Sequence, residues 1–186
     1  MPRRNPQNQL TRDCLYEALM LLWDQKPLAQ ITITELAEKA GTSRMAFYRH
    51  FETKEQVIES YLDDLFRQYL SDIWKVRDLS IGMFTRLFFV YLKQNDRLIR
   101  HICDSSLSDM LLNKFDEYIN VVLDNRLHLS DPICVSDSYL RHFVAGGLFK
   151  CLVEWTREGM NEPPEQIAER VAGFIGRIVA TAPRAL

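Results

Sequence analysis

Apolar residues recur along this chain at intervals of three and four positions, which is the spacing of one face of an α-helix. No stretch shows the alternation of apolar and polar residues that is typical of a β-strand. The apolar stretches are separated by positions rich in Pro, Gly, Ser, Asn and Asp, which favour turns. The sequence therefore predicts an all-α protein with about nine helices.

Breaks in the apolar pattern divide the chain into predicted helices of different lengths. A first amphipathic helix covers about residues 9–25 and ends at Lys26-Pro27. The clearest loop signal of the second half is Ser130-Asp131-Pro132. Between these two breaks, the apolar pattern predicts two short helices within residues 32–51, longer helices over about 53–74, 81–94 and 109–127, and a shorter helical piece that ends near residue 104. After the second break it predicts a helix over about 135–160 and a last one from residue 164 onward.

The stretch from Thr32 to Lys54 has the pattern of two short helices joined by a tight turn. Thr32 and Glu35 have the spacing of a capping box, in which each side chain hydrogen-bonds a backbone N–H near the helix start. Gly41 stands where the first helix must end in a left-handed conformation, which glycine adopts without a Cβ clash. The spacing therefore predicts a helix, a glycine turn and the start of a second helix.

The second short helix combines a buried face with a polar outer face. Thr42 or Ser43 can cap it, and Phe47 and Phe51 lie four positions apart and face inward. A short helix, a glycine turn and a second short helix with such an outer face are typical of a helix-turn-helix, whose second helix enters a DNA major groove. An ordinary helical hairpin whose charges are solvated is the alternative. The residues left to face outward are Arg44, Met45, Tyr48, Arg49 and His50.

The string ITITELAEKAGTSRMAFYRHFETKEQVI resembles the DNA-binding domain of TetR-type transcriptional regulators. This resemblance implies a helix-turn-helix DNA-binding domain over residues 1–52. Residues 1–8 of it hold two Pro, two Asn and two Arg, a composition that predicts a flexible arm. The same resemblance implies a helical effector-binding and dimerisation domain over residues 53–186. The matching features are Leu36-Ala37, Ala40-Gly41, Ser43, Phe47-Tyr48, His50-Phe51 and Lys54.

The resemblance assigns phosphate-binding roles to Tyr48 and Lys54, and their phenol and ammonium groups suit that role. His50 is a further phosphate candidate, and Thr42 and Ser43 lie at a helix N-terminus, where backbone N–H groups favour phosphate. Arginine pairs with the acceptors of guanine, and small apolar groups contact the thymine methyl. The base-reading candidates are therefore Arg44, Met45, Ala46 and Arg49, of which Arg49 is equally open to a solvated or phosphate-bound state.

The resemblance further implies a homodimer built by the last two helices. Gly146 and Gly147 interrupt an apolar helix, where each costs about 1 kcal/mol relative to Ala. Close helix approach across the dimer offsets that cost, and close packing within one chain is the alternative. The expected interface residues are Phe143, Gly147, Cys151, Trp155, Val171, Phe174, Ile175 and Ile178.

The resemblance also implies that the remaining helices of the second domain enclose a small-molecule effector. Each aromatic residue there is also open to a plain core role. The lining candidates are Trp74, Phe84, Phe88, Tyr91, Phe115, Tyr118 and Phe143.

Charge and cysteine content change this picture little. The formal net charge is −2, and residues 1–54 carry +2, which permits but does not demand a DNA-facing N-terminal domain. The cysteines form no CxxC pair and are expected to be small buried residues in a reducing, cytoplasmic compartment. The sequence shows no secretory signal. No apolar run reaches the length of about 18–20 residues that a membrane-spanning helix needs. The four cysteines are Cys14, Cys103, Cys134 and Cys151.

Other functional classes have weaker support. No glycine-rich phosphate loop, HExxH or GxSxG motif is present, so neither an enzyme nor a cofactor is expected. His101, Cys103, His128, Cys134 and His142 lack the spacing of a structural zinc site. We expect a regulator, most simply a repressor that an effector releases from a palindromic DNA operator. A helical adaptor without DNA binding and a zinc-responsive regulator of the same fold are the alternatives.

Overall fold

The computed structural model describes residues 6–125 and 138–181, and in these ranges it contains helices and no β-strand. The all-α prediction is confirmed. The described helices are α1 (Pro6–Trp23), α2 (Ile33–Lys39), α3 (Arg44–Tyr48), α4 (Lys54–Lys75), α5 (Ile81–Gln94), α6 (Asp96–Cys103), α7 (Ser108–Asn125), α8 (Ser138–Arg157) and α9 (Pro164–Thr181), with a 3₁₀ turn at Leu28–Gln30.

The helix bounds lie close to those predicted, with one difference at the N-terminus. Helix α1 already begins at Pro6, so residues 6–8 are helical and not part of an arm. Proline is tolerated in a first helical turn because the N–H that it lacks has no partner there. The loop predicted at 130–132 and the residues His128 and Cys134 lie outside the described ranges.

Contacts between Cα atoms divide the chain into two compact units, Met1–Leu65 and Phe66–Leu186. Helix α4 is continuous through this division. The first three turns of α4 belong to the first unit. They pack against α1, where the rings of Tyr16 and Tyr61 stack with their centroids 3.5 Å apart. The boundary expected from the sequence, between residues 52 and 53, places all of α4 in the second domain.

The core of the first unit is the apolar stripe of α1 closed by residues from the next two helices. Helix α1 packs against α2, and α2 packs against α3. Phe47 is fully buried, so its replacement by Ala would open a cavity costing about 3–5 kcal/mol. The buried members are Leu15, Ala18, Leu19, Leu22, Trp23, Ile31, Leu36, Ala37, Phe47 and Phe51, whereas Ile33 is partly exposed.

The core of the second unit is a cluster of aromatic rings around α5. Helix α5 packs against α9, and both α6 and α7 pack against α8. Phe88 makes edge-to-face contacts with Phe89 and Phe115, at centroid distances of 5.1 and 5.0 Å. Phe89 in turn meets the indole of Trp155 edge-to-face at 5.5 Å. This ring network holds α5, α7 and α8 together.

The turn between α8 and α9 is fixed by cations from the neighbouring helices. Gly159 and Met160 both have left-handed backbone conformations, with φ of 80° and 52°. Arg100 donates to the Gly159 carbonyl at 2.7 Å, and Lys93 donates to the Met160 carbonyl at 3.2 Å. Asp96 lies within 3.7 Å of both cations. Cations near the C-terminal carbonyls of a helix are favourable, so this contact secures the end of α8.

Candidate nucleic-acid interface

Helix α2 begins with the capping box expected from the sequence. The Thr32 hydroxyl accepts a hydrogen bond from the Glu35 N–H at 3.2 Å. Lys26, which the sequence reasoning missed, donates to the Glu35 carboxylate at 2.6 Å. This hydrogen bond, assisted by the Lys26 charge and the Thr32 backbone, lowers the pKa of Glu35 from its usual value despite desolvation. The extra ion pair ties the end of α1 to the start of α2.

The turn between α2 and α3 depends on a left-handed glycine. Gly41 has φ of 64°, and its N–H donates to the Glu38 carbonyl at 3.1 Å. The Thr42 N–H reaches back to the Ala37 carbonyl at 2.9 Å. These two bonds form a Schellman motif, which satisfies carbonyls that the helix end would leave unpaired. The motif fixes the direction in which α3 leaves α2.

One polar cap fixes the start of helix α3, and one buried ring fixes its orientation. The Ser43 hydroxyl accepts from the Ala46 N–H at 3.1 Å, so Ser43, and not Thr42, is the cap. Phe47 is buried beneath the helix, and the ring of Tyr48 packs edge-to-face against it at 5.4 Å. The buried ring determines which side of α3 faces the core. The rest of this five-residue helix is presented outward.

The nine predicted DNA-contact residues lie on one continuous segment. Met45 is 74% exposed and Tyr48 is 50% exposed, which is unusual for such large apolar or aromatic side chains. The exposed members are Ser43, Arg44, Met45, Tyr48 and Arg49, and the half-buried ones are Thr42, Ala46, His50 and Lys54. The outer face of α3 is therefore polar, basic and aromatic, as the sequence predicts.

Two half-buried members of this set contact other parts of the same unit. The Lys54 ammonium donates to the Ile31 carbonyl at 2.7 Å. Burial lowers the pKa of the His50 imidazole, and the charges of Arg12 and Arg49 lower it further. His50 is thus held toward its neutral form, which can donate one ring N–H to a phosphate oxygen.

Arg12 also lies at this surface, and the sequence reasoning did not single it out for that role. Its guanidinium lies over the Phe51 ring, 5.3 Å from the centroid, and donates to the hydroxyl of Ser60. These partners are 39 and 48 positions away along the chain. No local spacing signals such a contact, because it depends on how α1 packs against α4.

The predicted effector-lining residues fall into two groups in the second unit. Trp74 and Phe143 are 44% and 62% exposed. The other five lie within or against the ring cluster. Phe84, Phe88 and Phe115 are buried. Tyr91 is half-buried and donates a hydrogen bond to Asp72, and the ring of Tyr118 stacks on that of Phe66 with the centroids 4.6 Å apart. These five residues therefore also help to hold the core together.

The predicted interface residues fall into two groups as well. Trp155 is 1% exposed, its indole N–H donates to the Glu162 carbonyl at 3.0 Å, and Val171 is buried, so both pack inside their own chain. This differs from the expected interface role. Trp155 lies twelve positions after Phe143, which is about 120° further around the helix, so the two side chains lie on different sides of α8. The members with exposed surface are Phe143, Gly147, Cys151, Phe174, Ile175 and Ile178.

The cysteines are less buried than expected. Cys14 is exposed, whereas Cys103 and Cys151 are half-buried. Burial raises the pKa of both half-buried thiols, which makes them poor nucleophiles and poor metal ligands. Within residues 6–125 and 138–181, no group of three His, Cys, Asp or Glu residues is placed to hold a metal ion. No helix in the same ranges is long and apolar enough to cross a membrane.

Comparison with known proteins covers both units. Residues 15–61 match the family model described as bacterial regulatory proteins of the tetR family, and residues 80–177 match a model described as a transcriptional regulator C-terminal region. The regulator TtgR of Pseudomonas putida is 33% identical over 63 residues, which span 34% of this chain and 30% of TtgR. The likeness to that relative is thus confined to about a third of either protein.

Solved structures share the whole fold at low sequence identity. Lin0861 from Listeria innocua has a TM-score of 0.77 at 20% identity, covering 94% of this chain and 93% of that one. A TetR transcriptional regulator from Streptococcus agalactiae has a TM-score of 0.65 at 18% identity, with coverage of 91% and 95%. The two family models together cover the helix-turn-helix unit and most of the helical second unit, and both describe transcriptional regulators. The chain belongs to the TetR family of bacterial DNA-binding transcriptional regulators, a class of regulators and not of enzymes.

Proposed function

We propose that this protein is a dimeric, cytoplasmic repressor that binds a twofold-symmetric operator and leaves it when a small molecule binds the second unit. The observation that carries the proposal is the orientation of α3. The Ser43 cap and the buried ring of Phe47 hold this short helix so that Arg44, Met45 and Tyr48 face outward. A helix held in this way can enter a major groove with its side chains already oriented.

The contacts divide into positioning and reading roles. Tyr48, His50 and Lys54 have phenol, imidazole and ammonium donors that suit phosphate oxygens, and phosphate contacts set the register of a protein on DNA. Arg44 is exposed at the start of α3 and can pair with guanine. Met45 and Ala46 are the candidates for a thymine methyl, Thr42 and Ser43 for a phosphate at the helix start, and Arg49 for either kind of contact.

Dimerisation is supported by an exposed apolar face on the last two helices. Tyr139 and Phe143 on α8 are 85% and 62% exposed, and Phe174 on α9 is also exposed. Apart from its own stretch of α8, a Cβ added to Gly147 would meet no atom of the described residues within 4 Å. An exposed apolar face of this kind, with a glycine that lets another helix approach closely, favours packing against the same two helices of a second copy of the chain. Two recognition helices would then read two half-sites.

The effector proposal rests on the aromatic cluster of the second unit. Tyr91 is half-buried, and its hydroxyl donates to the Asp72 carboxylate beside the rings of Tyr69 and Phe84. An apolar environment with a few polar groups is the usual character of a small-molecule site. A small, largely apolar effector that binds among α4, α5 and α7 would act on α4, which continues into the first unit.

The decisive experiment is selection of bound DNA from a random duplex library with the full-length protein, followed by footprinting. We expect an inverted repeat whose half-sites are protected on successive major grooves of one DNA face. The double variant Arg44→Ala/Tyr48→Phe, which changes only exposed side chains, is the matched control: it should bind more weakly and recover a repeat in which one base pair of each half-site is no longer selected. If the wild-type protein enriches no sequence and binds duplex DNA no better than this control, the regulator proposal fails and the adaptor alternative replaces it.

A further inference from the structure

Helix α1 brings a cation to the end of the recognition helix. The guanidinium of Arg12 lies 5.3 Å from the centre of the Phe51 ring, at the turn that follows α3. The same ring lies 6.4 Å from the imidazole of His50. A hydrogen bond to the Ser60 hydroxyl of α4 fixes the guanidinium in place. Arg12 and His50 therefore flank one aromatic ring.

Arg49 adds a second cation to this cluster. It is exposed at the C-terminal end of α3, and its Nε donates to the Met45 carbonyl at 3.4 Å. Arg12 and Arg49 both act on the imidazole of His50, because their charges lower its pKa in addition to the effect of burial. In the free protein these groups repel a further positive charge. Repulsion of this kind is relieved when an anion binds between them.

We propose that Arg12, Arg49 and His50 together hold one backbone phosphate of the operator. Helix α1 would then contribute a DNA contact of its own beside those of the helix-turn-helix. The inference rests on the proposed function, since it adds a contact to the same DNA-binding surface. The planar guanidinium suits phosphate oxygens, and its face can stay over the Phe51 ring while it binds them.

A purely structural role for Arg12 makes a different prediction. In that case its contacts with Phe51 and Ser60 would serve to hold α1 against the turn after α3. Removing them would lower the stability of the protein and its affinity for DNA without changing the number of counterions released. The salt dependence of binding separates the two roles, because each neutralised phosphate contributes about 0.9 to the slope of log K against log salt concentration.

The test compares Arg12→Met with Arg86→Met. Both substitutions remove one positive charge, but Arg86 is exposed on α5 in the second unit. Operator affinity is measured by fluorescence anisotropy over a series of KCl concentrations, using a duplex selected by the wild-type protein. We expect the salt slope to fall for Arg12→Met, by at most about 0.9 because Arg49 stays on the same phosphate, and to stay unchanged for Arg86→Met. Arg12→Lys, which keeps the charge, should retain the wild-type slope.

A second measurement needs no variant. The pKa of His50, followed by NMR, should rise when the wild-type protein binds its operator, because the phosphate favours the charged imidazole. An unchanged His50 pKa, or an unchanged slope for a folded Arg12→Met protein, overturns this inference while operator binding itself stands. Failure of the wild-type protein to bind any selected duplex is a different result, since it overturns the proposed function as well.

Discussion

The Lys54 ammonium lies 2.7 Å from the backbone carbonyl of Ile31 and donates a hydrogen bond to it. This bond joins the first turn of α4 to the residue that precedes the cap of α2. An ammonium group has three N–H donors, so the bond orients the charge without neutralising it. Lys54 therefore has two roles in our account: it holds the helix-turn-helix against α4, and it presents a charge for a phosphate.

Lys54→Met should lower both stability and DNA affinity. The substitution keeps the length of the side chain but leaves the Ile31 carbonyl without its donor, at a cost of about 1–2 kcal/mol. Urea unfolding of the free protein measures this loss. The matched control is Lys39→Met, an exposed cation on α2, which should change stability by less than about 0.5 kcal/mol. An unfolding midpoint for Lys54→Met equal to that of the wild type would show that the bond contributes nothing.

Arg44→Ala and Tyr48→Phe should separate base reading from positioning. Arg44→Ala should relax the preference at one base pair of each half-site by about 1–3 kcal/mol. Tyr48→Phe should weaken every operator variant by the same factor, because a phosphate contact carries no sequence information. Affinities for a set of single-substitution operators distinguish the two patterns. A uniform loss across that set for Arg44→Ala would assign it to the phosphate contacts.

The helix-turn-helix was predictable because its signals are local. The Thr32 cap, the left-handed Gly41 and the Ser43 cap each act within three or four residues, and all of them are confirmed. A buried ring four positions from the next, as at Phe47 and Phe51, fixes the outer face by helical spacing alone. The fold and the candidate contacts of α3 therefore follow from short-range rules.

Contacts between distant segments were not predictable from these rules. Neither the position of Arg12 over Phe51 nor the ion pair of Lys26 with Glu35 follows from helical spacing, because each depends on how two helices pack. Trp155 is a different case. Steps of four positions lead from Phe143 to Trp155, but over twelve positions they drift by about 120° around the helix, so Trp155 lies on another side of α8, where it packs against Phe89 in the core.

Lys26→Met should change how stability depends on pH. The pKa of Glu35 is lowered in the folded protein, so the ion pair stabilises the fold above the usual value of 4.5. This contribution is lost as the pH falls through the folded pKa, because the protonated carboxyl no longer attracts Lys26. The stability difference between wild type and Lys26→Met should thus be present at neutral pH and shrink in acid. Urea unfolding at several pH values measures it, and a difference that does not vary with pH would contradict the prediction.

Gly147→Leu should separate the two copies of a dimer without disturbing either. Outside its own stretch of α8, no atom of the residues that the structure describes lies within 4 Å of the position of an added Cβ, so a larger side chain finds space in the single chain. Leucine also favours a helix more than glycine does. Light scattering should therefore report a folded monomer, with circular dichroism unchanged. A dimer of wild-type stability would place Gly147 away from the interface, and Gly147→Ala serves as the mild control.

The effector response should depend on the aromatic cluster and not on thiols or imidazoles. Phe88 is buried among other rings, so Phe88→Ala would cost about 3–5 kcal/mol and unfold a large share of the protein. It cannot serve as a clean probe.

Tyr91→Phe is the better variant, because it removes the hydroxyl bonded to Asp72 and keeps the ring. We expect it to change the effector concentration that releases DNA, while operator affinity without effector stays the same. Coupling of about 1–3 kcal/mol would correspond to a 5- to 150-fold change in DNA affinity, and operator DNA must weaken effector binding by the same factor. Both affinities are measurable by anisotropy and calorimetry.

Zinc is the competing effector, and histidine and cysteine side chains are among its usual ligands. Cys103→Ser and His101→Ala should leave the response intact, since burial keeps the Cys103 thiol protonated by raising its pKa. His142 already contacts Asp116 at 2.8 Å and is the remaining imidazole candidate in the part of the chain described here. If zinc alone releases the operator and these substitutions abolish that release, the apolar-effector proposal is wrong and the protein senses a metal.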